Sequence, residues 1–153
     1  MIPEAQKQQM AEAVAKIRET MAAAAKAAGR DPAEVRLCAA CKTRTVEEVR
    51  YSADLPIDLF GENHVQELVE KTDANAYNGK PGHFIGHLQT NKVNKVVDRA
   101  ALIQSVDSTR LLDKIDAAAA RLGLVQDILV EINIGEEASK SGVDADSLFP
   151  LLE

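Results

Sequence analysis

The residues that could do chemistry in this chain sit in short polar runs, and the first run is "VRLCAACKTR", residues 35 to 44. It holds two competing features. Cys38 and Cys41 have the C-x-x-C spacing of a redox dithiol or of half a zinc site, and Lys42 follows them at the end of an apolar run. On a strand, alternate residues face opposite sides. Cys38, Ala40 and Lys42 then share one face and Leu37, Ala39 and Cys41 the other, so the sulfurs diverge. A redox C-x-x-C usually sits at a helix N-terminus, where the dipole lowers the thiol pKa. The chain's two cysteines leave no second pair to complete a zinc site. Both cysteines therefore read as small core hydrophobes.

Lys42 has only small residues before it on its face, which leaves room for a bulky ligand. An amine in a partly apolar mouth carries a reduced cost for its neutral form, the form that attacks carbonyls. The alternative is a lysine snorkelling from a strand end into solvent. Asn63, after "FGE", either donates to a ligand ring oxygen or caps the helix that follows. His83 and His87 are four apart, but Gly86 and the strand-like "HFIGH" disfavour a helix, so they read as structural or pocket-lining and not as metal ligands. "SKSG" (139 to 142), with Lys140, reads by itself as a solvated connection.

These residues need elements to position them. Residues 4 to 28 are helical by composition, with Met10, Val14, Ile17 and Met21 on one stripe and Gly29 as the stop. After that, short apolar runs alternate with helical ones. "VRLCAAC" precedes "TVEEVRYSADL", which Thr45 and Glu48 open as a capping box. "IDLFGEN" precedes "HVQELVEKTDANA", "HFIGHLQ" precedes "NKVNKVVDRA", and "LIQSVDS" precedes "TRLLDKIDAAAARLG". "DILVEINIG" reads as a longer buried strand, followed by "EEASKSG" and the start of a helix in "DADSLFPLLE". Five such alternations predict a parallel sheet covered by helices. Polar residues collect just after each strand, which is the C-terminal face where a (β/α) barrel builds its sites. No G-x-G-x-x-G follows the first strand, so a dinucleotide site lacks its signature. A closed barrel takes about 250 residues, and the sequence reads as an incomplete one, a single partial domain over 1–153.

The 153 residues are 46 % hydrophobic with a formal charge of −6, enough for a core and unsuited to a nucleic-acid partner or an anionic membrane surface. No run approaches the length of a membrane span. The N-terminus lacks a secretory h-region, and two closely spaced cysteines fit a reduced, cytoplasmic protein.

Taken together, the strand ends resemble one family. "CKTRTVEEVR", "FGENHVQELVEK", "HFIGHLQTNKVNKVV", "IQSVDS" and "VEINIGEEASKSGV" are similar, in order, to segments of the pyridoxal phosphate homeostasis proteins. The resemblance covers essentially the whole chain. It implies a (β/α) TIM-type barrel of the alanine racemase N-terminal type, here about five β/α units plus an N-terminal helix, and pyridoxal 5′-phosphate (PLP) as cofactor. It implies Lys42 as the Schiff-base lysine, Asn63 beside the cofactor ring and Lys140 as a basic residue near the cofactor mouth. It implies a role in cytosolic vitamin B6 balance with no established catalytic reaction. Apo PLP-dependent enzymes are the implied partners, and the full-length form is expected to be a monomer. Departures are Cys41 for a common serine and His64 for a common tyrosine. The family's later S-x-G-M-S and R-x-G-x-x-[IL]-F-G segments, which serve the phosphate and the pyridine nitrogen, do not occur, so the chain reads as truncated. The expectation is then weak, pH-dependent PLP capture, and dimerisation through unpaired sheet edges. The other readings are a weak PLP-dependent racemase or lyase, and a fragment that binds nothing. Tyr51 and Tyr77, outside the strand ends, argue against racemization.

Overall fold

The computed structural model describes residues 1–153. Five strands, β1 (Cys38–Ala40), β2 (Leu59–Glu62), β3 (Gly82–Phe84), β4 (Leu102–Val106) and β5 (Asp127–Val130), pair in chain order and all in parallel. Helices α1 (Glu4–Ala27), α2 (Val46–Ser52), α3 (Val65–Asp73), α4 (Val93–Val96), α5 (Thr109–Leu122) and α6 (Leu148–Leu152) alternate with them. Consecutive order with a helix between neighbours is the arrangement of a (β/α) barrel wall. The barrel architecture expected from the sequence is present over these strands.

Local chemistry sets the element ends. Thr45 and Glu48 close the capping box at the start of α2. The Ser108 hydroxyl accepts the Leu111 N–H at the start of α5, and Gly123, with φ +67°, ends that helix in the left-handed region.

The two faces of the sheet differ. Phe60, Phe84 and Ile103 are fully buried in one core with Val49, Leu68, Val96 and Leu111 from the helices. The opposite face carries Cys38, Ala40, Gly61, His83 and Leu129 by strand alternation. Cys41 is buried in the core cluster, but Cys38 is exposed. The reading of both cysteines as core is thus corrected for Cys38. The sulfurs do diverge, and alternation puts Cys38 on the face away from the core cluster.

Two other expectations change. The last strand ends at Val130 and does not run through "DILVEINIG", because the chain turns back and bridges Ile132 to Val143. Its residues alternate between exposed and half-buried, and Leu129 is 50 % exposed, as an edge strand with one covered face must be. The α1 stripe is also incomplete: Met10, Val14 and Met21 are half-buried while Ile17 is exposed. Polar bonds anchor α1 instead. Arg18 donates to Pro56 O (2.6 Å) and Asp58 (2.7 Å), and the Tyr51 hydroxyl donates to Lys7 O (3.1 Å). Asp58 also accepts the Leu37 N–H. Partial burial pushes the Asp58 carboxyl up, but that N–H and the Arg18 guanidinium outweigh it and hold it below its usual range.

Candidate functional site

The candidate site lies at the C-terminal ends of β1 and β2. The register pairs Ala40 with Gly61, and the Cys41 N–H extends the ladder to Gly61 O (2.9 Å). Lys42 and Asn63 each follow two residues later, so alternation carries both onto the open face. Gly61 keeps that face low between the strands. A Cβ there would lie 2.7 Å from Ile85 Cδ1 and 3.1 Å from Cys38 Sγ. Lys42 is exposed. Asn63 is half-buried and its Oδ1 is buried without a partner. The residue at the N-cap of α3 is His64, without a side-chain cap bond, so the capping alternative for Asn63 is not what the fold uses. Gly86 lets β3 approach this end: a Cβ there would collide with the Asn63 carbonyl oxygen.

Behind the open face lies a buried polar network that spacing arguments missed. Lys71, on α3, is 1 % exposed. Its amine meets Glu62 Oε1 (2.9 Å) and donates to the Cys41 carbonyl (2.7 Å), with Glu67 Oε1 at 3.5 Å. The Tyr77 hydroxyl donates to Glu62 Oε1 (3.2 Å), and its ring stacks on Phe60 with centroids 5.3 Å apart. Glu62 Oε2 has no partner. Burial pushes the Glu62 carboxyl up, and the Lys71 and Tyr77 bonds oppose that only in part. Burial and then the Glu62 charge push the Cys41 thiol up to about 12 and raise the Tyr77 phenol as well. Cys41 is buried while Cys38 is exposed on the other face, so the two sulfurs are not arranged as a redox pair. One sequence signal for this network existed: Lys71 falls on the apolar stripe of Val65 and Leu68, where a charge needs a partner.

The remaining candidates separate. His83 is buried, and its Nδ1 accepts from the Gln104 amide (2.9 Å). Burial, then the Arg36 charge, lowers its pKa. His87 is exposed, 3.8 Å from Asp107. No group of three or more potential ligands stands ready for a metal ion. Lys140 lies in the loop after β5, at the opposite edge of the sheet from Lys42, with its amine 3.0 Å from Glu137. Lys42 and Asn63 follow paired positions on neighbouring strands, whereas Lys140 follows the strand at the far edge of the sheet. A cavity of about 350 Å³ lies elsewhere, on the outer side between α3 and α4 beside Lys92, Lys95 and Arg99. Tyr77 reaches the β2 end with its hydroxyl, but from the helix side and already bonded to Glu62.

In (β/α) barrels the C-terminal strand ends are where sites are built, and here Lys42 and Asn63 stand at those ends. The profile of the alanine racemase N-terminal domain matches residues 7–153. The chain belongs to that family. The pyridoxal phosphate homeostasis protein of Aquifex aeolicus is 37 % identical over 142 residues, 93 % of this chain and 62 % of the relative. A crystal structure of an unknown protein from Bifidobacterium adolescentis superposes with a TM-score of 0.90 at 33 % identity, covering 99 % of this chain and 65 % of that one. PipY of Synechococcus elongatus with PLP bound superposes with a TM-score of 0.72 at 29 % identity, covering 94 % and 62 %. The chain spans about three fifths of the length of the curated relatives it matches. No helix is long and apolar enough to cross a membrane.

Proposed function

We propose that residues 1–153 are part of one PLP-binding barrel domain that works in PLP homeostasis in the cytoplasm. The observation that carries this is the pairing of Lys42 and Asn63 at neighbouring strand ends, in a fold whose relative PipY has been seen with PLP bound. The donor set fits the cofactor. Lys42 offers the amine that an aldehyde takes up. Asn63 offers an amide NH2 group that can donate to the cofactor's ring oxygen, while its Oδ1 is among the buried polar atoms without a partner. PLP, when bound, supplies an electron-accepting ring; the protein supplies binding and orientation. Lys140 enters the reading as a basic residue of the same mouth, reached from its loop. Apo PLP-dependent enzymes are the acceptors in this reading.

The homeostasis names of the relatives favour a carrier over an enzyme. So does the position of Tyr77, whose hydroxyl is held under the sheet by Glu62 and is not offered to a ligand on the open face. The test is a PLP titration followed by absorbance. Wild type should develop a band near the visible edge, and Lys42→Ala should lose it while keeping its circular dichroism spectrum. A Lys42→Ala protein with an undiminished band would contradict the proposal, and turnover of alanine or serine by the loaded protein would favour the racemase or lyase reading.

A further inference from the structure

The two peptide groups that flank Lys42 are both held by side chains of α3. On one side the Cys41 carbonyl accepts from Lys71 Nζ at 2.7 Å. On the other, the Thr43 N–H donates to Glu67 Oε1 at 2.7 Å. Glu67 and Lys71 stand four apart on one face of the helix, and their own charged atoms are 3.5 Å apart. Lys71 is in turn fixed by Glu62 at the end of β2. The backbone at this point is not one the chain adopts freely: Thr43 has φ +65°, in the left-handed region that β-branched residues avoid. Such a conformation persists only where surrounding contacts determine it. The Glu67 bond to the Thr43 amide is such a contact, and it is charge-assisted.

A buried ion pair and a capping carboxylate often do no more than secure a helix against a sheet. Here the bonds go to residues 41 and 43 themselves and leave the side chain of residue 42 alone: Lys42 is exposed with no ion-pair partner, while the backbone on both sides of it is tied down. A flexible amine on a fixed root explores a small volume above the strand ends, and fixing reacting groups in place is worth much of a barrier.

We propose that Glu67 and Lys71 are positioning residues, which clamp the Lys42 backbone so that its amine is presented to an aldehyde over the β1 and β2 ends. The proposal rests on the reading of Lys42 as the PLP-bearing amine.

The test uses Glu67→Ala, Glu67→Gln and the wild type, with two readouts. The first is hydrogen exchange at the Thr43 amide without ligand. The second is the rate at which PLP followed by borohydride labels Lys42, mapped by peptide mass. Glu67→Ala should speed Thr43 exchange about tenfold or more and slow Lys42 labelling by a similar factor, with global unfolding little changed. Glu67→Gln keeps an acceptor oxygen, and both readouts should return most of the way to wild type. Should Glu67→Ala fail to fold, Glu67→Asp, one methylene too short, carries the same comparison. Wild type labelled at Lys42, with Glu67→Ala labelled equally fast, overturns this proposal alone. Wild type labelled at another lysine overturns the reading of Lys42 and this proposal with it, while the exchange readout still reports whether the clamp exists.

Discussion

The corner where β1 and β2 meet α3 and the stretch after β5 both carry lysines beside glutamates, and they treat them in opposite ways. At the corner, Lys71 is 1 % exposed and its amine makes contacts with two carboxylates and a carbonyl. After β5, Lys140 pairs with Glu137 on a loop with both side chains more than half exposed. The first arrangement leaves water behind and so must be satisfied internally. The second keeps its water and is worth little. Lys42 combines the two conditions, an exposed amine on a backbone held from behind. A lysine suits covalent capture when its root is fixed and its tip is free, and charge or motif alone does not distinguish that case.

The widest contrast expected between regions is in thiol reactivity. Cys38 faces the open side and Cys41 the core. A neutral alkylating reagent should modify Cys38 in the native protein. It should reach Cys41 only through unfolding, slower by on the order of 10³-fold or more for a domain of ordinary stability. Equal rates would mean that the corner is not packed as described.

Breaking the corner should cost more than any change after β5. Glu62→Ala leaves Lys71 buried with its main counter-charge gone, and a loss of about 3–5 kcal/mol is expected in urea unfolding. A loss under about 1 kcal/mol would show that water reaches Lys71. Gly86→Ala places a methyl against the Asn63 backbone, with Cα 2.7 Å away. Overpacking of that kind costs about 1–3 kcal/mol. It should also weaken PLP binding by displacing Asn63, and a variant as stable as wild type would contradict the close approach.

His83 gives a smaller, pH-dependent effect. Its folded pKa is depressed below the ordinary 6.5, so the folded state resists the proton that the unfolded chain accepts. Its contribution is complete above pH 6.5 and is lost as pH falls from there through the folded value. In His83→Asn that part of the stability curve should be flatter, and an unchanged slope would show that the ring titrates normally. The smallest effect belongs to the loop. Lys140→Ala should change stability by less than about 0.5 kcal/mol, and a larger loss would give the loop a structural role that its exposed ion pair does not suggest.

The fold was legible because its periodicities are local. Capping residues such as Thr45 and Ser108, the stop at Gly123 and the alternation of short apolar runs lie within a few residues of what they control. The divergence of Cys38 and Cys41 follows from the same two-residue period. What failed depends on the third dimension. Whether Cys38 is buried depends on what covers that face of the sheet, and the end of β5 depends on a return of the chain between Ile132 and Val143. At the site, Lys42 and Asn63 were visible as polar residues after apolar runs. Of the Glu62, Glu67, Lys71 and Tyr77 network only Lys71, a charge on an apolar stripe, left a trace, because its members become neighbours only when α3 docks behind β1 and β2.

On the proposed function Lys42, and not another of the chain's lysines, is the amine offered at the strand ends. Incubation with one equivalent of PLP, borohydride reduction and peptide mapping reads it directly. The pyridoxyl mass should lie overwhelmingly on the peptide containing Lys42. Label spread over Lys140, Lys92 and other exposed lysines in proportion to their exposure would contradict it.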